Sequence, residues 1–173
     1  MLLALHFVDL TGRRIGAVRN LRREDITFGT PPSIRWRQEF DKCGNEGEVP
    51  IGHHLAEIVT KHLDEVPCGK NGCLIPARNA RTGELREHPM TTDALRYWLG
   101  IAERRAGVKR GQHCGWHAYR RKFATQRKHL PVADVMAVMG LSDVNVFHTS
   151  YARPDMETLL RVVKLDGTGQ EGG

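Results

Sequence analysis

The sequence contains no run of about 18 apolar residues, the length a helix needs to cross a bilayer, so no membrane span is expected. Its opening stretch, Met1 to Val8, is apolar, but no basic residues precede it and His6 and Asp9 break it early. No secretory signal is therefore expected in this stretch. Cysteine is scarce: Cys43, Cys68, Cys73 and Cys114 are the four. They form no dense secreted pattern, so reduced thiols in a cytosolic protein are expected. Cys68 and Cys73 are separated by four residues, the outer limit of zinc-knuckle spacing. No second close Cys or His pair follows, apart from the distant Cys114 and its neighbouring histidines. No carboxylate cluster suits a hydrolytic metal, and no internal repeat is visible. A zinc protein or metal-dependent nuclease is therefore the last-ranked reading, and no metal or nucleotide cofactor is expected.

What is present is a chain of 173 residues, 40% hydrophobic and 27% charged. That length suits one soluble domain with a real core. Lys and Arg number 26 against 20 Asp and Glu, a formal charge of +6. The excess is local. Arg13, Arg14, Arg19, Arg22 and Arg23 form one basic group, and Arg104, Arg105, Lys109 and Arg110 a second. Arg120, Arg121, Lys122, Arg127 and Lys128 form a third. Such clusters favour an acidic partner, of which nucleic acid is the commonest.

Periodicity gives a mainly α chain with one small antiparallel sheet near the front, an α+β class. Helices are expected over 1–10, 15–21, 54–63, 91–106, 117–128 and 155–163. A further helix starts near Pro131 and ends at Gly140, and Asp143 caps a short one running toward Tyr151. A strand is expected over 33–40, with Ile34, Trp36 and Phe40 alternating, and a short return strand over 48–51. Residues 73–75 read as a short buried strand, and 77–89 as a mobile polar loop. Trp98 and Leu99 are expected in the core. Residues 1–165 are expected to form one domain, with 166–173 a disordered tail.

Four ordered blocks carry the chemistry. Thr11-Gly12-Arg13-Arg14 is followed by Leu21 and Asp25-Ile26. Asp41-Lys42-Cys43 precedes Val49-Pro50-Ile51. His117-Ala118-Tyr119-Arg120 leads into Phe123-Ala124-Thr125. Met139-Gly140-Leu141 leads to Tyr151-Ala152-Arg153-Pro154. Two arginines can clamp one phosphate, because each planar fork donates two hydrogen bonds and keeps its charge. A tyrosine can attack phosphorus in line, with a general acid protonating the departing oxygen.

In this order the blocks resemble the catalytic domain of tyrosine recombinases, the phage integrase family, and most closely its bacterial integrases. The resemblance spans roughly residues 8–163. It implies that the chain cleaves and rejoins DNA at specific sites through a 3′-phosphotyrosyl intermediate. Tyr151 would be the nucleophile, Arg14 and Arg120 the phosphate clamp, His117 a proton-transfer group and Lys42 the general acid. Arg22, Arg121 and Lys122 are expected to contact DNA. The expected partner is double-stranded DNA, with a homo-tetramer on paired sites in the full-length form. A cytoplasmic, nucleoid-associated bacterial location follows. Type IB topoisomerases use similar chemistry.

The chain departs from the family pattern at three places. Leu141 stands where the family carries His or Trp, ten residues before Tyr151. Loss of one such donor typically costs about 2.7–4 kcal/mol of barrier, and Ser142 or His148 is a candidate substitute. Ala17 stands where the family usually has an acid that braces the arginines. The helical domain that usually lies upstream is absent from this sequence. The alternative function is therefore a catalytically impaired DNA-binding fragment.

Overall fold

The computed structural model describes residues 2–41, 44, 46–69, 71–79, 81–108, 115–151 and 156–164. The first helix, α1 (Leu2–Thr11), buries Leu3, Ala4, Phe7, Val8 and Thr11. Gly12 ends it in the left-handed region, at φ 64°. A side chain there would run into the Phe123 ring and Met139. Thr11 stitches the turn: its hydroxyl donates to the Phe7 carbonyl at 2.6 Å and accepts from the Arg13 amide at 3.2 Å. Helix α2 (Ile15–Arg19) follows, with Ala17, Val18 and then Leu21 buried, as their helical spacing predicts.

Strands β1 (Ile26–Thr27), β2 (Ser33–Trp36) and β3 (Gly47–Pro50) form an antiparallel sheet in that order. Ile34 pairs with Ile26 on one side and Val49 on the other, and all three are buried. The expected strand over 33–40 stops at Trp36. Arg37 turns aside to ion-pair with Glu24 and with Asp25 at 2.7 Å, and residues 38–40 close into a 3-10 turn. That turn delivers Asp41 to the interior.

Helix α3 (His53–Glu65) buries Leu55, Ala56 and Val59. Of the strand expected over 73–75, a single bridge between Cys73 and Arg22 is present. The polar stretch 77–89 is not a loop but most of a hairpin, β4 (Pro76–Arg78) with β5 (Leu85–Pro89). Its residues are largely exposed, so no apolar alternation marked it in the sequence. Helix α4 (Thr92–Arg105) is capped by the Thr91 hydroxyl and buries Leu95, Leu99, Gly100 and Glu103. The buried stripe thus runs to the Gly100 and Glu103 side. Trp98 lies off it, 45% exposed and edge-on to Tyr97, and is not a core residue.

Four helices complete the described chain: α5 (Trp116–Gln126), α6 (Val132–Met139), α7 (Val144–Ser150) and α8 (Met156–Lys164). Gly140 ends α6 in the left-handed conformation, and the Asp143 carboxylate caps α7 by accepting from the amides of Asn145 and Val146.

The buried apolar residues form two clusters. The larger joins α1, α2, the sheet, α3, α4 and Trp116. The smaller joins Phe123 and Ala124 of α5 with α6, Leu141, Phe147 and Tyr151. Helix α5 contributes to both, and α1 packs along it. Among the described residues no helix is long and apolar enough to cross a membrane.

Candidate active site

The seam between the two clusters is polar and rich in arginine. Arg13 and Arg14 leave the turn between α1 and α2 in different directions. Arg13 is buried. It donates from Nε to the Val138 carbonyl at 2.7 Å and from Nη2 to the Ala137 carbonyl at 3.0 Å. It thereby satisfies carbonyls at the C-terminal end of α6, where a cation is also favoured by the helix dipole. Its guanidinium lies 4.7 Å from the centre of the Trp36 ring and 3.5 Å from Asp41. Burial pulls Arg13 down to about 10, against the opposing pull of Asp41. Gly140 makes room for this arrangement, because a side chain there would collide with the Arg13 guanidinium.

Arg14 stays partly exposed, donates to the Gly140 carbonyl at 3.3 Å and stands 3.7 Å from the second Asp41 oxygen. Arg120, on the inner face of α5, is 1% exposed. It donates from Nη1 to the carbonyls of Gly12 and of Met139, the latter at 2.8 Å, and from Nε to the Tyr151 hydroxyl at 3.1 Å. Its Nη2 is buried without a hydrogen-bond partner among the described residues. Burial is the main influence lowering the Arg120 pKa, with Tyr151 opposing it.

A cavity of about 350 Å³ opens beside these groups. Arg13, Arg14, Ala17, Trp116, His117 and Arg120 are among its walls. His117 is largely exposed, and its pKa is held below the ordinary 6.5 first by partial desolvation of the ring against the cavity wall and then by Arg120, Arg121 and Arg14. A neutral imidazole beside three cations is a proton acceptor at neutral pH.

Tyr151 follows α7. The residue is 9% exposed and belongs to the smaller cluster, its amide donates to the Phe147 carbonyl, and its carbonyl accepts from the Thr125 hydroxyl. The hydroxyl therefore reaches the arginine seam from the apolar side. Leu141, at the family's His or Trp position, packs in the same cluster as Tyr151. It contributes packing around the tyrosine and no hydrogen-bond donor. His148 is exposed and sits edge-on to Phe147.

Arg14, His117, Arg120 and Tyr151 thus converge from three separate parts of the chain. Lys42 lies outside the described residues. Arg121 and Lys122 line a second cavity of about 560 Å³ with Thr125, Thr149 and Ser150, next to the segment that leads into Tyr151. Lys122 is ion-paired with Asp9 at 2.8 Å. Arg22 lines neither cavity. It lies 3.6 Å from Glu24 and its backbone bridges Cys73. Sequence reasoning missed Arg13 and Asp41 as site residues. Each is the immediate neighbour of a residue that was selected, so adjacency to Arg14 and Lys42 was the available signal.

Among the described residues, no group of three or more His, Cys, Asp or Glu could hold a metal. Cys68 and Cys73 are free thiols, both pushed up mainly by burial.

This helical fold with its small antiparallel sheets is that of tyrosine recombinase catalytic domains. Residues 1–158 match the model of the phage integrase family, and the chain belongs to that family. Solved structures with the same fold include XerH site-specific recombinase bound to difH substrate, with a TM-score of 0.67 and 21% identity over 95% of this chain and 46% of that one. XerA recombinase aligns with a TM-score of 0.71 and 18% identity over 97% of this chain and 57% of its own. The Tn1549 transposon integrase in complex with circular intermediate DNA gives 0.68 and 16% over 93% and 56%. The chain spans about half the length of these recombinases. No curated protein sequence matches it at a significant level.

Proposed function

We propose that residues 1–165 form the catalytic domain of a site-specific DNA recombinase that works through a 3′-phosphotyrosyl intermediate. The observation that carries this reading is Arg120. Its buried guanidinium donates to the Tyr151 hydroxyl and keeps a second nitrogen, Nη2, without a hydrogen-bond partner among the described residues. A buried donor left unmatched is costly, and a phosphate oxygen would match it. Membership of the phage integrase family and the solved relatives bound to DNA support the same reading.

In the proposed step, Tyr151 Oη forms a bond to phosphorus as the bond to the 5′ oxygen breaks. The tyrosine proton passes toward His117, and the leaving oxygen takes a proton from Lys42. Arg14 and Arg120 hold the non-bridging oxygens, where charge develops in the transition state. Arg121 and Lys122 lead the flanking backbone along the second cavity. The partner is double-stranded DNA. Met156, Leu159, Leu160, Val162 and Val163 are exposed on α8 and support assembly with further copies, as a homo-tetramer on paired sites. A nucleoid-associated location fits this role.

The test is capture of an SDS-resistant protein–DNA adduct from a pool of nicked duplexes with a randomised core, in EDTA. Wild type is expected to form the adduct and Tyr151→Phe to form none while still melting cooperatively. An adduct on Tyr151→Phe would sink the nucleophile assignment. The second reading, a DNA-binding fragment without strand transfer, draws on the packed Leu141. It predicts salt-dependent binding to the same pool with no adduct from wild type.

A further inference from the structure

The geometry points to Asp41 as the positioning residue for Arg14, supplying from the connection between β2 and β3 the negative charge that Ala17 does not supply from α2. This inference rests on the recombinase reading. Three guanidiniums, those of Arg13, Arg14 and Arg120, meet at the seam, and like charges that close repel. Asp41 is buried, and its two oxygens face two different arginines: Oδ2 lies 3.5 Å from Arg13 and Oδ1 3.7 Å from Arg14.

Arg13 fixes the carboxylate from one side. Its Nε and Nη2 are occupied by the α6 carbonyls, so its position is set by the backbone of another element. The 3-10 turn over 38–40 fixes it from the other, through the Asp41 amide donating to the Gln38 carbonyl at 3.1 Å. Arg14 has fewer constraints. It is partly exposed on the cavity wall and also donates to the Gly140 carbonyl at 3.3 Å. A carboxylate fixed on two sides restricts where a partly exposed guanidinium beside it can point. A displacement of about 1 Å in such a group can cost about 100-fold in rate.

Ala17 lines the same cavity, three residues beyond Arg14 and on the side of α2 that a glutamate would use to reach it. An acid at 17 would act from within the arginine's own helix. Asp41 acts instead across the seam, from the segment that leads directly into Lys42.

The test uses Asp41→Asn and the double variant Asp41→Asn/Ala17→Glu, with the same nicked duplex pool. Asp41→Asn is expected to keep DNA affinity within about twofold by fluorescence anisotropy and to lose about 100-fold in adduct rate. The double variant is expected to recover at least about tenfold of that loss. An Asp41→Asn protein that reacts at the wild-type rate overturns the proposal, as does one that loses affinity and rate in equal proportion. If Asp41→Asn alone fails to melt cooperatively, the folded double variant decides: restored adduct supports the brace, and none overturns it.

If wild type forms no adduct, the recombinase reading fails, and the brace is judged separately by NMR of the arginine side chains. Rotation of the Arg14 guanidinium is expected to be slow in wild type and fast in Asp41→Asn. Equal rates would overturn the proposal.

Discussion

Arg13 and Arg14 are neighbours of the same chemistry with opposite placements, and their replacements should separate stability from activity. Arg13→Ala strips two α6 carbonyls of their donor and Asp41 of a buried ion-pair partner. It should cost about 3–5 kcal/mol in denaturant unfolding. Arg14→Ala, partly solvent-exposed, should cost less than about 1 kcal/mol and yet abolish adduct formation. A reversal of that pattern would show that the clamp arginine is Arg13. His117 gives the pH test. Its folded pKa lies below 6.5, so the imidazole is neutral above that pH in both folded and unfolded chains. As pH falls below 6.5 the unfolded chain takes up a proton that the folded one resists, and both stability and the proton-accepting role decline. The adduct rate should be flat above pH 6.5 and fall through a midpoint below it, and His117→Gln should remove that limb. Arg14, His117, Arg120 and Tyr151 were legible in the sequence because family motifs fix their spacing. Arg13 and Asp41 were not, because their partners are backbone carbonyls and a guanidinium far away in the chain.

At the scale of elements, turns decide the geometry more than helices do. Gly12 is required twice, by its positive φ and by the Phe123 ring against it, and its carbonyl accepts from Arg120. Gly12→Ala should lower the unfolding free energy by more than about 1 kcal/mol. It should also reduce adduct formation beyond what the stability loss explains, measured at a temperature where both proteins are folded. Helices with a clear apolar face, such as α3 and α5, fell where the periodicity placed them. The hairpin β4–β5 did not announce itself, since backbone hydrogen bonds hold it without an apolar face. The early end of β2 was equally invisible, because it depends on Arg37 finding Glu24 and Asp25 across a turn.

For the molecule as a whole, the formal charge of +6 matters less than where it is already spent. Lys122 faces the cavity that leads to Tyr151, but Asp9 of α1 holds it at 2.8 Å. Asp9→Asn should release it, raise affinity for duplex DNA, and steepen the decline of log K with log salt by up to about one unit. An unchanged slope would place Lys122 off the DNA path. The bonds of Arg13 to Val138 and Ala137 close loops of 125 and 124 residues. Contacts so remote form late when a chain assembles. A nascent chain leaving the ribosome therefore carries Arg13 and Arg14 long before it has α6 to anchor Arg13 or Tyr151 to aim. The proposed centre is complete only once Tyr151 has followed α6 out, so a chain cut short before α7 would hold its arginines without the proposed nucleophile.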